Sequence, residues 1–202
     1  MSRFVTPVAL RGERWARVEP LSVEHIPEME ETVRHSDNES LWFTTAPTPG
    51  QVDQWVHRML EMQAGDQGVT FVVRRLDDGA LVGSTSMFHV DAANRRLEIG
   101  HTWYAPSVRR TGVNSETKLL LLGHAFDTLG CVAVEFRTHF FNSASRAAIE
   151  RLGAKLDGVL RSHQITADGV RRDTAVYSII DIEWPAVRAN LRYRLDRYEQ
   201  GG

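Results

Sequence analysis

Residues 103–123, WYAPSVRRTGVNSETKLLLLG, constrain the fold of this chain more than any other stretch. The segment opens as the end of an aromatic-rich strand, turns at Pro106, and crosses a basic, glycine-containing loop at 109–114. It then enters an apolar run at 118–122, where the pattern predicts a helix over 115–129 closed by Gly130. A helix that follows one strand and precedes another (132–139, VAVEFRTH) is a crossover, so the two strands should run parallel. The order strand, glycine loop, helix also makes an anion site. The first helical N–H groups lack partners within the helix, and the helix dipole adds partial positive charge there. Arg109 and Arg110 stand immediately before it.

Any preference for phosphate must be local. The 202-residue chain carries a net charge of -2 with a pI near 6.4, so no basic field advertises nucleic acid or an anionic membrane. The length suits one well-buried domain, residues 1–202, and 42% hydrophobic with 25% charged residues matches a soluble globular protein. The single cysteine, Cys131, excludes an internal disulfide, and its apolar setting (CVAV) predicts a buried, inert thiol. There is no signal-peptide-like N-terminus and no run of roughly 18 apolar residues, so a cytoplasmic location is expected. The eight histidines form no HxxxH or HxH pair, so no metal is expected, and no GxSxG nucleophile elbow is present.

The remaining elements follow from periodicity and turn chemistry. Residues 8–21 suggest an antiparallel hairpin turning at Gly12–Glu13, with Leu10, Trp15 and Val18 inward. Ser22 can cap a helix carrying Ile26, Met29 and Val33, with Glu24 and Glu28 near its positive end. After the proline-punctuated loop SLWFTTAPTPG, a second helix runs from Val52 to Gln63 and stops before Gly65. Strands at 69–75, 81–89 and 96–104, joined by turns at Asp77–Gly79 and 91–94, make an antiparallel meander. Asn142 caps a helix that Gly153 ends. A hairpin of 154–165 and 172–182 turns at 167–169. Residues 183–202 form a C-terminal helix and tail, with Pro185 tolerated in the first turn. This describes one α+β domain, sandwich-like, with a mixed but mostly antiparallel sheet.

The loop alone is a weak signal. Arg109-x-x-Gly112-x-Asn114 is too short for GxxxxGK[ST] and lacks the glycines of a dinucleotide fingerprint. In context it resembles the x-Pro-x-x-Arg-x-x-Gly-x-(Gly/Ala) coenzyme A loop of the GNAT-type N-acetyltransferases. EIGHTW at 98–103 resembles the E-I-G strand of the RimJ/RimL branch, which acetylates ribosomal-protein α-amines. NSASRAAIERLGA at 142–154 resembles that branch's N-x-x-S helix, and GVLR at 158–161 with RDTAVYS at 172–178 its closing hairpin.

The resemblance implies a GNAT fold, helices on both faces of the sheet, and acetyl-CoA as co-substrate in a V-shaped gap between splayed parallel strands ending near Tyr104 and His139. Backbone N–H groups of Arg110, Thr111, Gly112, Val113, Asn114 and Ser115, with Arg109 beside them, would hold the pyrophosphate. Edge groups of Thr102, Trp103 and Tyr104 would pair with the pantetheine amides, and Asn142 and Ser145 would face its arm and sulfur. Asn114 departs from the family's last Gly or Ala; asparagine tolerates the left-handed region that position would need. The acceptor would be a primary amine, a protein N-terminus or a small molecule, and the chain a monomer or homodimer. Trp42, in the first interhelical loop, would help form the acceptor wall.

For chemistry, Glu98 leads as general base, then His101 and His139; Ser145 leads as thiol acid, with Tyr177 behind it. Each also has a structural reading. Strict alternation puts Glu98, Gly100, Thr102 and Tyr104 on one face and Ile99, His101 and Trp103 on the other, which makes His101 a cleft or core histidine. His139 could be a pocket wall, Tyr177 a packed ring with a satisfied hydroxyl, Ser145 a small residue allowing close approach, and Asn142 a cap. The competing function is a non-catalytic CoA-binding or partner-binding module of the same fold.

Overall fold

The protein is described by a computed structural model that covers residues 3–36, 38, 46–166 and 169–199. Trp42, and the turn residues 167 and 168, lie outside the described residues.

Eight strands form one sheet in the order β1-β2-β3-β4-β5-β6-β8-β7. β1 (Leu10–Arg11) and β2 (Ala16–Pro20) are the expected first hairpin, and β2 pairs with β3 (Gly68–Arg75). β3, β4 (Leu81–Asp91) and β5 (Arg96–Tyr104) make the antiparallel meander. β5 and β6 (Ala133–His139) are parallel, as the crossover requires; every other pairing is antiparallel. β8 (Arg171–Ile180) inserts between β6 and the edge strand β7 (Lys155–Ile165).

Helices cover both faces. α1 (Ile26–Arg34) and α2 (Val52–Ala64) bury Met29, Val33, Val52, Trp55, Val56 and Met59 against Val72, Leu81 and Trp103. Ser22 caps the short 3-10 turn before α1 together with His25. On the opposite face, α3 (Val113–Gly123), α4 (Ser143–Leu152) and α5 (Trp184–Glu199) cover Phe71, Val73, Leu97, Ile99 and Val134. Val187, Leu191 and Leu195 of α5 are buried, so this helix caps its own sheet against α3. Consecutive inward residues of β3 thus feed alternate cores, as a pleated strand buried on both faces must.

Two helical boundaries differ from expectation. α3 begins at Val113, two residues before Ser115, and its last turn widens into a π-helix at His124–Thr128, closed by the Leu129 N–H on His124 O at 3.0 Å. The widened turn presents Asp127 to α5, where it accepts from Trp184 Nε1 at 3.0 Å and pairs with Arg188. Gly130 follows at φ 66°, the left-handed conformation expected of a helix stop. Cys131 is buried, and burial raises its thiol pKa to about 11, in keeping with an inert side chain.

Candidate active site

The sheet opens between its parallel strands. β5 and β6 pair only through Arg96–Ala133, Leu97–Val134 and Glu98–Glu135, then part. β4 occupies the far edge of β5 as far as Tyr104, and among the described residues no strand pairs with the edge of residues 99–104 that faces the gap, which leaves backbone groups there open to a ligand. A cavity of about 400 Å³ fills the gap, bounded by that edge, by 136–139 of β6, by Asn114 and Lys118 of α3, and by Asn142 and Ser145 of α4. Thr102, Trp103, Tyr104 and Arg109 also line it.

The loop that precedes α3 is built differently from the expectation, and the Thr111 and Val113 N–H groups donate within it, to Val108 O and Thr111 Oγ1, each at 3.4 Å. Pro106–Val108 is a 3-10 turn, Arg109 is extended, and Arg110 rather than Asn114 takes the left-handed conformation, at φ 62°. Asn114 is the second residue of α3 and remains right-handed. Gly112, at φ -69°, has no need of a positive φ. It is a glycine because a Cβ there would lie 2.6 Å from the Trp15 ring. The loop is braced from the first hairpin: the buried Glu116 carboxylate accepts the N–H groups of Glu13, Arg14, Trp15 and Ala16 at 3.0, 3.1, 2.6 and 2.6 Å. Gly12 is required beside it, since a Cβ would lie 2.2 Å from that carboxyl carbon.

Lys118, read in the sequence only as the start of an apolar run, is buried, and its Nζ donates to Thr102 Oγ1 at 2.9 Å and Thr85 Oγ1 at 3.3 Å. Its contacts there are hydroxyls, with no carboxylate, and burial lowers its pKa to about 7. The ammonium stands under the unpaired strand edge, where it supplies a donor to any polar group in the cavity.

The opposite side of the gap is shaped by bulges. Ser84–Ser86 of β4 spans Trp103–Gly100 of β5, one residue too many, and the extra residue is accommodated at His101 with φ 48°. A second slip between Phe88 and Asp91 places His89 at φ 49°. Left-handed histidines in strands are strained, and such strain collects at functional sites. The first bulge corrects the expected alternation. Beyond it, Thr102 and Tyr104 turn to the α3 face and Trp103 to the α1/α2 core, where it packs with Leu81.

Glu98 stands at the last paired position before the strands part, with its side chain only 6% exposed. Its Oε2 accepts from His89 Nδ1 at 2.9 Å and lies 3.5 Å from Arg137 Nε. A carboxylate can only accept, so the hydrogen bond puts a proton on Nδ1 and turns Nε2 away from Glu98. Glu98, His89, His101 and Arg137 line a second cavity, about 610 Å³, on this side of the sheet. His101 borders both cavities and stacks on Phe88 with ring centroids 4.1 Å apart. Burial lowers its pKa to about 4, with His89 and Arg58 adding repulsion, so it is neutral at physiological pH. No spacing pattern pointed to His89, Arg137 or Lys118; a bulge brings the first to the site, and the topology the other two.

Of the other expected residues, Asn142 caps α4 by accepting the Ser145 N–H at 3.0 Å, and both still border the cofactor-side cavity. His139 lies on its wall, with Nδ1 accepting the Phe141 N–H at 3.0 Å; burial and then Arg172 lower its pKa. The structure does not bring Tyr177 into the cavity. Its hydroxyl accepts from Arg146 Nε at 2.9 Å and donates to Glu150 Oε1 at 2.8 Å, the satisfied and packed arrangement of the structural reading.

Residues 17–155 match the acetyltransferase (GNAT) domain. The chain is 25% identical over 175 residues to a Bacillus subtilis protein named "Putative ribosomal N-acetyltransferase YdaF", covering 83% of this chain and 90% of that one. A GCN5-related N-acetyltransferase from Brucella melitensis superimposes with a TM-score of 0.85 at 29% identity, over 95% of this chain and 87% of that one. Mycobacterium smegmatis RimJ, in complex with CoA-disulfide, shares the fold at a TM-score of 0.77 and 20% identity, over 93% of this chain and 95% of that one. With a sheet that parts between the parallel strands β5 and β6 and a helix N-terminus beside the opening, this chain belongs to the GNAT acetyltransferase family, whose members use acetyl-CoA.

Proposed function

We propose that the chain transfers the acetyl group of acetyl-CoA directly to a primary amine, a protein N-terminus or a small amine, in a ternary complex. One observation carries this reading: the parting of β5 from β6 at Glu98, which leaves a cofactor-sized gap on one side and a second cavity on the other, with the carboxylate at the fork. The unpaired edge of 102–104 fits the amides of pantetheine, and the N–H groups of Arg110, Gly112, Asn114 and Ser115, those of Thr111 and Val113 being engaged within the loop, fit a pyrophosphate. The ribosomal name of YdaF and the CoA compound bound to RimJ favour the same reading.

Acetyl-CoA brings an activated thioester; the protein has three tasks. An ammonium must lose its proton before it can attack, and Glu98 accepts it, directly, through water, or through the His89 imidazole that it orients. The developing oxyanion needs a donor, which a backbone N–H of the bulge at 99–102 supplies. The departing thiolate needs a proton, for which Ser145 is the candidate; Tyr177, engaged with Glu150 and Arg146, is the weaker one.

Release of free thiol from acetyl-CoA over a panel of amines and peptides tests the proposal. Glu98→Gln should lower turnover at least about 100-fold while the thermal shift with acetyl-CoA is kept. A rate unaffected at every pH removes Glu98 from the role. Binding without amine-dependent release by the wild type makes the chain a CoA-binding module instead.

A further inference from the structure

Where the two cavities meet, one cation stands apart. Arg172, near the start of β8, lines both. The other charged groups of the acceptor-side cavity are matched: Asp66 with Arg3 at 3.5 Å, Glu98 with His89 and Arg137, and Arg137 again with Glu135 at 2.8 Å. Among the described residues Arg172 has no carboxylate within ion-pair distance, and its Nε is enclosed with no hydrogen-bond partner. An enclosed, unmatched guanidinium donor is unfavourable unless something fills it. Its planar fork fits a carboxylate in two parallel hydrogen bonds.

The neighbours of Arg172 limit what that anion can belong to. Burial lowers its pKa and the field of Glu98 raises it, so the two side chains are within electrostatic reach. His139, on the cofactor side of the gap, also feels its charge. An anion held by Arg172 therefore lies close both to the gap and to the proposed base. The amine to be acetylated must occupy the same neighbourhood.

We infer that the acceptor is a small amino acid-type molecule, whose carboxylate is held by Arg172 while its amine is presented to Glu98. This rests on the acetyl-transfer reading above and names its substrate class. A cavity of about 610 Å³ is of the size that takes a small molecule. A protein N-terminus carries a neutral peptide carbonyl where a free amino acid carries its carboxylate, so its backbone offers Arg172 no charge there.

Thiol release by the 202-residue chain decides the matter. The acceptors are free amino acids, the corresponding amino-acid amides, and a peptide of the same first residue, compared at equal concentrations of neutral amine. The wild type should favour the acids. Arg172→Met should lower kcat/KM for the acids about 10- to 100-fold and leave the amides and the KM for acetyl-CoA unchanged. Arg172→Lys should recover part of the loss, and a retained thermal shift with acetyl-CoA shows that each variant is folded. Equal rates for acids and amides, preference for the peptide, or an equal loss on every acceptor in Arg172→Met overturns the assignment while acetyl transfer stands. No release with any amine overturns acetyl transfer, and this assignment with it.

Discussion

Lys118 is the residue whose chemistry and surroundings disagree most. Its ammonium is buried against two threonine hydroxyls, and its pKa of about 7 lies far below the ordinary 10.5. Between those values the unfolded chain holds a proton that the folded chain has released, so stability rises with pH across the window. Lys118→Met should therefore raise Tm at pH 7, and its advantage should shrink as pH approaches 10; thermal unfolding at several pH values measures both. His101 acts at the other end of the scale. With a folded pKa of about 4 against 6.5, it withdraws stability as pH falls through that interval, and His101→Gln should flatten the acid side of the stability curve. Sequence reading named Glu98 and His101 because strand motifs expose residue types. It missed Lys118 because a lysine at the head of KLLLLG looks like the solvated edge of a helix. It misplaced Thr102 and Tyr104 because strict alternation fails across a bulge, and a bulge leaves no mark in composition.

The loop and α3 act as one element because the first hairpin holds them. Glu116 satisfies four backbone N–H groups of 13–16 in a largely buried place. Glu116→Ala orphans them and should destabilise the fold by at least about 2 kcal/mol, seen as a lower urea midpoint. Gly112→Ala should cost about 1–3 kcal/mol by pushing a methyl group into Trp15. Adding Trp15→Leu should recover most of that loss; if it does not, the clash with the ring is not what the added methyl group costs. A carboxylate at position 112 would test phosphate binding only with this packing effect subtracted. At this scale the order of strand, loop and helix was legible from turn residues and apolar periodicity. The partners of Gly112 and Glu116 were not, because they come from a hairpin about a hundred residues away.

Across the whole molecule, function follows from one topological fact. The crossover through α3 puts β6 parallel to β5, and β8, arriving antiparallel on the far side of β6, leaves the gap between β5 and β6 open. The sequence predicted that parallel pair, since a helix joins its strands. The length of the pairing, three residues before the strands part, is a property of the assembled sheet. Amide hydrogen exchange with and without acetyl-CoA tests the consequence most directly. The account predicts that bound acetyl-CoA slows exchange at the open edge of 99–104 and at the α3 entrance, 110–115, while β1 and β7 exchange as before. Binding that protects neither segment would contradict it.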